Sequence, residues 1–453
     1  TMGASGTLVL TLSCLFTASQ QSSPPTLDDF WVGKAHFAPH VAFPVEAPGF
    51  ANVTAGTRVV VVNETWYLFG RHDMGATSRC PQGEIGINVR ASTDHGRTWG
   101  ASSILVAPDK TSCLYADGSA FYDSATNTWH YLAQVLEAGW YLAHFSLAGP
   151  SPLGQWIPNP HNPVVKGGQL FNQICNGTGK HCQVGMVDEG TPQIVEKVGD
   201  DFYVTFHGYN YNRKAAARGV ARTPDFVQWS VTGGDDPLPD DVIFAAADCA
   251  SWNVSWDKST GCIGSGEASI LRAPSGFMYQ VIEAADVALT CDLDWDVQWW
   301  PLGMVRKQNW APSPQWEQMS TTPLVGGPTG REPHVGCSIQ YNSLHWDPSD
   351  GTTYFAFWDV SFHPTNATAP RQTWHMYSLE WGAAPLPMIW PGPAQKGPDC
   401  TTSESCKETC PGFVECSTDG WFYCCADKQC AGQHACAGNK GLLDCACGPN
   451  ATA

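Results

Sequence analysis

The chain has 453 residues, and its 24 Lys plus Arg face 42 Asp plus Glu, a formal net charge of −18. A surface that acidic repels phosphate backbones and anionic lipid, which argues against nucleic acid and peripheral membrane as partners. Only 15% of residues are charged, whereas Gly, Pro and Trp number 45, 33 and 20. That balance predicts an all-β chain of many short strands, and an apolar content of 43% excludes disorder for most of its length.

The first feature in chain order is the apolar run from Thr7 to Phe16 (TLVLTLSCLF), followed by small and polar residues. It has the length of a signal-peptide h-region and falls short of the roughly twenty residues that span a bilayer. It lacks a basic n-region, and its alternative is a buried strand. Residues 1–22 are therefore expected to be a signal peptide, and the mature protein a soluble, secreted monomer with no membrane span. Removing Cys14 with that segment leaves even sets: eight Cys in the body (Cys80, Cys113, Cys175, Cys182, Cys249, Cys262, Cys291, Cys337) and ten between Cys400 and Cys447. Even sets suit an oxidising compartment. Cys175–Cys182 and Cys249–Cys262 are close enough to be local staples, although sequence does not fix the pairing. Sequons at Asn52, Asn63, Asn176, Asn253, Asn366 and Asn450 point to N-glycosylation.

Past about Phe50 a unit recurs. It opens with a Gly-rich corner and a strand: TAGTRVVVV, ADGSAFYDS, DEGTPQIVE, GEASILRAP and REPHVGCSIQY. A second aromatic strand follows: TWYLFGRHD, TWHYLAQVL, DFYVTFHGY, FMYQVIEAAD and TYFAFWDV. The unit later reaches a polar turn ending in Trp (Trp99, Trp156, Trp229 or Trp316), with Trp374 or Trp381 serving the last. Successive openings at Asp117, Glu189, Glu267 and Glu332 are too far apart for hairpins and suit four-stranded antiparallel sheets. Five such blades over residues 23–390 predict a five-bladed β-propeller, with a two-sheet sandwich as the alternative. After Trp390 a Pro/Gly linker leads into residues 391–453, a small disulfide-rich C-terminal module with one aromatic cluster, Trp421, Phe422 and Tyr423.

Ser92–Trp99 fits S-x-D-x-G-x-T-W and resembles the Asp-box turn of sialidases and related propellers; Ala221–Ser230 looks like its degenerate form. Such turns are structural: the Asp carboxylate caps backbone N–H groups and Gly supplies positive φ.

Propeller geometry brings the start of each first strand and the end of each second strand to one rim of the channel. The openings carry Asp117, Asp188 with Glu189, Glu267, and Arg331 with Glu332. The closings carry Arg71, His72 and Asp73; His207 and Tyr209; Glu283 and Asp286; Trp358 and Asp359. Acids crowded at a channel mouth raise one another's pKa, so that one can stay protonated beside an ionised neighbour, the requirement for a general acid and a general base across a glycosidic bond.

In this arrangement the chain resembles the glycosidase-type five-bladed propellers, the arabinanase/β-xylosidase/fructosidase superfold, over residues 50–385. The resemblance implies a glycoside hydrolase with Asp117 as the base-like residue, Glu267 as the acid, Glu189 or Asp188 as the middle carboxylate and Glu332 as a further candidate. It implies a carbohydrate substrate contacted by Arg71, His72, Asp73, Asp188, His207, Tyr209, Glu283, Arg331 and Trp358. No cofactor is required; a Ca²⁺ ion in the channel enters by analogy with the superfold. The chain departs from the pattern in blade 1, where Asn52–Thr57 contains no acid; Asp28, Asp29 or Asp73 are the available substitutes. That loss favours the competing expectation of a non-catalytic glycan- or partner-binding propeller. A sialidase, which needs three Arg where Arg71 and Arg331 supply two, is more distant, as is metal binding by His72, His207 and His334. A structural protein would show a channel plugged by apolar side chains.

Overall fold

The computed structural model describes residues 23–44, 58–81, 83–108, 112–137, 139–166, 190–210, 215–231, 262–292, 297–299, 302–311, 316–319, 324–325, 339–362 and 371–383. The expected h-region, the Cys-rich module and Asn52, Asn176, Asn253, Asn366 and Asn450 lie outside these residues, as do Cys175, Cys182 and Cys249.

Each recurring unit folds as a blade. A short helix α1 (Leu27–Trp31) and strand β1 (Ala35–Pro44) come first. Blade 1 is β2 (Arg58–Val62), β3 (Thr65–Gly75), β4 (Glu84–Ser92) and β5 (Ser103–Val106); blade 2 is β6 (Tyr115–Asp123), β7 (Thr128–Glu137), β8 (Gly139–Ala148) and β9 (Ile157–Pro158). Blade 3 comprises β10 (Gly190–Val198), β11 (Asp201–Asn210), β12 (Ala215–Thr223) and β13 (Ser230–Val231). Blade 4 comprises β14 (Cys262–Arg272), β15 (Met278–Asp292), β17 (Leu302–Lys307) and β18 (Glu317–Gln318), with the short β16 (Val297–Trp299) beside β15. Blade 5 has β19 (Ile339–Asp347), β20 (Thr352–Phe362) and β21 (Arg371–Trp381), and takes β1 as its fourth strand. The predicted all-β, five-bladed β-propeller of four-stranded antiparallel blades is therefore what forms. Blades 3 and 4 also touch through one parallel bridge, Ala216 to Gly264.

Ring closure is the feature the repeat did not announce. Strand β1 runs antiparallel to β21 from Ala35 opposite Trp381 to Pro44 opposite Thr373. The last blade thus borrows its outer strand from the N-terminal side of the protein, and Trp381 ends β21 instead of a turn to a local fourth strand. Pro39 breaks no ladder because it sits at a register shift between Pro39 and Val41 of an outer strand. Helix α1 is held by a capping box between Thr26 and Asp29 and buries Leu27 and Phe30 beside Phe37, Tyr279 and Phe355.

The core lies between blades. Phe69, Trp129 and Tyr131 pack blade 1 on blade 2; Leu132, Phe202 and Phe226 pack blade 2 on blade 3; Trp66, Trp358 and Trp374 pack blade 5 on blade 1. At the junction of blades 3 and 4, Tyr203 stacks on Trp310 at 5.1 Å, and Arg272 pairs with Glu196.

Hydrogen bonds on the inner strands fix the ring. Ser119 Oγ accepts from Ile194 N at 2.7 Å (blade 2 to 3), and Gln193 Oε1 from Ile270 N at 2.8 Å (3 to 4). Ser269 Oγ accepts from Leu344 N at 2.8 Å (4 to 5), and Ser343 Oγ from Val59 N at 3.0 Å (5 to 1). The junction of blades 1 and 2 carries a covalent link, the disulfide Cys80–Cys113, with Cα atoms 5.8 Å apart.

Candidate active site at the axial opening

The inner-strand hydrogen bonds give an internal ruler. Two residues before Ser119, Gln193, Ser269 and Ser343 stand Asp117, Thr191, Glu267 and Tyr341. Each of these four lies in a shift of the ladder: between Ala116 and Gly118, between Gly190 and Gln193, between Ser265 and Ala268, and between Gln340 and Ser343. Bulges of this kind re-aim a side chain and recur near functional sites. In blade 1 the equivalent position lies outside the described residues; from Arg58 onward β2 pairs with β3 without a shift. Asp117 and Glu267 therefore share a register position. Glu189 lies two residues before Thr191 and Glu332 nine before Tyr341; both are outside the described residues, as are Asp188, Arg331 and His334. For His207, Tyr209, Glu267, Asp286 and Asp359 the backbone alone is described.

The second strands align more regularly. Arg58, Ser119, Gln193, Ser269 and Ser343 face Phe69, Leu132, Thr205, Val281 and Ala356. Two residues on come Arg71, Gln134, His207, Glu283 and Trp358. Three of these five reach the bulged position of the following blade. Arg71 donates from Nε to Asp117 Oδ1 at 2.7 Å and from Nη2 to Oδ2. Gln134 Oε1 accepts from Thr191 N at 2.6 Å, and Glu283 Oε1 accepts from Tyr341 N. Arg71 also lies over the Tyr341 ring, 5.0 Å from its centroid. Asp117, Arg71, Tyr341 and Glu283, from four different blades, are thus joined around the axis. Asp117 and Glu283 are 3% and 2% exposed, so these charges stand in a largely desolvated setting where hydrogen bonds to ions are strongest.

Tyr341 and Gln134 were not among the expected site residues. Tyr341 holds φ at +57°, a left-handed backbone that an aromatic residue rarely adopts, at its bulge. The sequence signal for Gln134 is its place in TWHYLAQVL, at the register of Arg71 in TWYLFGRHD.

The remaining expected residues have local roles. His72 Nδ1 lies 3.2 Å from Asn88 Nδ2, and burial, reinforced by Arg90, holds its pKa below the ordinary imidazole value. Asp73 caps the end of β3 by accepting from Gly75 N at 2.8 Å. Trp358 is 0% exposed against Trp374, so its ring packs between blades instead of facing a ligand. Asp29 is committed to the cap of α1, and Asp28 accepts from the Tyr279 hydroxyl at 2.7 Å, four residues before Glu283 on β15. Neither replaces the acid that blade 1 lacks.

The Ser92–Trp99 turn is held as its sequence suggests. Asp94 Oδ1 accepts from Thr98 N at 2.9 Å and Ser92 Oγ from Gly96 N at 3.0 Å, with His95 and Gly96 at φ +57° and +75°. In the second turn Asp225 Oδ1 accepts from Val227 N and Gln228 N at 2.9 and 2.8 Å. Both lie away from Asp117, at the opposite ends of the strands.

The sequence matches no protein-family model, and no curated protein matches it in sequence. Solved structures do match. A complex of BT0996 with RGII superposes with a TM-score of 0.50 at 10% identity, over 80% of this protein and 98% of that one. An α-L-arabinofuranosidase from Lactobacillus brevis gives 0.48 at 11% identity, over 74% and 95%. The endo-arabinase from Bacteroides thetaiotaomicron gives 0.47 at 13%, over 72% and 95%. At 10% identity the likeness to the first of these is one of fold alone.

Proposed function

We propose that the protein is a secreted, N-glycosylated glycoside hydrolase acting on extracellular or cell-wall glycans at the axial opening. The observation that carries this reading is the shared register of Asp117 and Glu267, on the bulged inner strands of blades 2 and 4. At the facing register the second strands carry Arg71, Gln134, His207 and Glu283. Glu267 is the general acid that protonates the glycosidic oxygen, Glu189 or Asp188 supplies the middle carboxylate, and Glu332 is a further candidate acid. Arg71 donates into both oxygens of Asp117, which makes Asp117 an acceptor suited to base-like or electrostatic work and unsuited to proton donation.

Two observations support export. The Cys80–Cys113 disulfide suits an oxidising compartment. Asn63 of the Asn-Glu-Thr sequon is exposed in the β2–β3 turn, where an acceptor site needs to be. The division into a signal peptide (1–22), propeller (23–390) and disulfide module (391–453), and the monomeric state, belong to the same proposal.

A second reading has one specific observation in its favour. Both oxygens of Asp117 are occupied by Arg71, as in a rigid binding surface, and this is the non-catalytic glycan-binding propeller. The same engagement of Arg71 weighs against a sialidase clamp on a ligand carboxylate. The deciding experiment screens the purified protein against a panel of glycans, scoring binding and product release separately, for the native protein and Glu267→Gln. Product release lost in the variant with binding kept supports the hydrolase. Undiminished turnover removes Glu267 from the mechanism, and binding without release from any glycan selects the second reading.

A further inference from the structure

Three side chains meet at the junction of blades 5 and 1, at the ends of the strands opposite to Arg71 and Tyr341. Asp347 ends β19, Asp350 lies in the β19–β20 turn, and His95 lies in the turn after β4. His95 Nδ1 stands 3.2 Å from Asp347 Oδ2 and 3.2 Å from Asp350 Oδ2. One potential ligand atom from each residue lies within 4.8 Å of the others.

The surroundings hold both carboxylates in place. Asp347 Oδ1 accepts from Ser349 N at 2.8 Å and Ser349 Oγ at 2.6 Å, and its Oδ2 from Trp66 Nε1 at 2.5 Å. These donors keep the Asp347 pKa below its ordinary value although burial, the largest influence, pushes it up. Asp350 Oδ1 accepts from Thr352 N and its Oδ2 from Tyr354 Oη, each at 2.7 Å. Each Oδ2 accepts one of these hydrogen bonds, and a carboxylate oxygen has capacity for a second partner.

The His95 side chain is 37% exposed, but its Nδ1 faces the two carboxylates. His95 Nδ1 is closed off from solvent and makes no hydrogen bond, although two carboxylate oxygens stand beside it. A nitrogen lone pair and two anionic oxygens converging on one point form a ligand set. A divalent ion matches the charge of the two carboxylates. The side chain of Asp347 is 0% exposed, so an uncompensated charge there is costly.

We propose that His95, Asp347 and Asp350 bind a divalent cation of the zinc class, with water as the fourth ligand. Tetrahedral coordination with bonds of about 2.0–2.1 Å places neighbouring ligand atoms roughly 3.3 Å apart, in line with the two N–O separations of 3.2 Å. The imidazole selects against Mg²⁺ and Ca²⁺, which prefer all-oxygen sets. The ion ties the β19–β20 turn of blade 5 to the Ser92–Trp99 turn of blade 1. This is the junction that β1 closes, and His40 of β1 places Nε2 2.9 Å from His95 O. The role is structural and independent of the glycan reading.

The test uses the full-length protein, stripped with a chelator and then titrated with Zn²⁺, Mn²⁺ or Ca²⁺ while thermal unfolding is followed. Zn²⁺ at a hundredfold excess over its dissociation constant is expected to raise Tm by about 4 °C, with Ca²⁺ far weaker. Two variants guard against binding elsewhere on a protein with 14 His and 19 Cys. His95→Gly removes a ligand while suiting the positive φ, and Asp350→Asn keeps the acceptor for Thr352 N. Both should retain native circular dichroism and lose the zinc shift. No shift in the native protein, or an equal shift in either variant, overturns the proposal.

Discussion

Arg71 of blade 1 grips Asp117 of blade 2 through two parallel hydrogen bonds, at the one blade junction where the inner strands show no Ser or Gln bridge among the described residues. The pair does for that junction what Ser119, Gln193, Ser269 and Ser343 do for the others, and adds paired charge at the inner strands. One side chain of each partner thus serves both ring closure and site geometry.

Breaking this pair should therefore be expensive. Arg71→Ala leaves a buried carboxylate uncompensated, and the expected loss is about 3–5 kcal/mol. The double variant Arg71→Ala/Asp117→Asn should recover part of it, since the stranded charge is then gone. Chemical denaturation of the native protein, both single variants and the double variant gives the coupling directly. Additive losses would show that the two side chains act separately.

The serine bridges make a narrower claim. Ser119→Ala deprives Ile194 N of its acceptor, and Ser343→Ala does the same to Val59 N. A buried donor left unpaired costs about 1–3 kcal/mol. The two sites belong to different junctions, so the double variant should lose close to the sum. Urea unfolding midpoints test this, and losses under about 0.5 kcal/mol for each would reduce the bridges to incidental contacts.

What the sequence made legible follows from local periodicity. The second strands could be placed in register by eye because TWYLFGRHD, DFYVTFHGY, FMYQVIEAAD and TYFAFWDV pair without interruption where the site begins. Arg71, His207, Glu283 and Trp358 therefore align. The first strands are less regular because each bulge adds residues that pair with nothing. Glu189 and Glu332 look equivalent to Asp117 in sequence, yet the ladder puts Thr191 and Tyr341 at that place. The disulfide was equally hidden. Nothing local distinguishes Cys80–Cys113, separated by 33 residues, from any other choice until the ring brings blades 1 and 2 together.

Strand β1 was hidden for a different reason. AHFAPHVAFP contains two prolines and reads as a poor strand, but an outer position tolerates proline at a bulge. Its value to the fold is testable by truncation. A variant that starts at residue 58 loses every partner of β21 on that side and exposes the strand as a free edge. The expected result is loss of the cooperative thermal transition, or aggregation under conditions where the full-length protein stays monodisperse. An unchanged Tm would show that closure by β1 is dispensable.

Acid sensitivity should trace in part to His130 and His144. Their rings stack at 5.3 Å, and Phe226 covers His144 at 4.0 Å in nearly parallel contact. Burial pushes the His130 pKa down to about 4, with Asp123 opposing and Lys197 assisting. Burial pushes His144 down to about 3, with His130 adding to the effect. In the unfolded state both return to the ordinary value near 6.5. Lowering the pH below that value protonates the unfolded state first, so stability is complete above about 6.5 and falls towards pH 4 and below. The limiting slope is about 1.4 kcal/mol per pH unit for each ring, and the two titrate as a pair. Replacing His144 with Gln removes one of these titrations and relieves the other, while the fully buried His345 and His375 contribute equally to both proteins. The variant should be less stable at pH 7 yet lose stability more slowly between pH 6.5 and 4.5 in denaturant titrations; parallel curves would remove the pair as a source of the acid response.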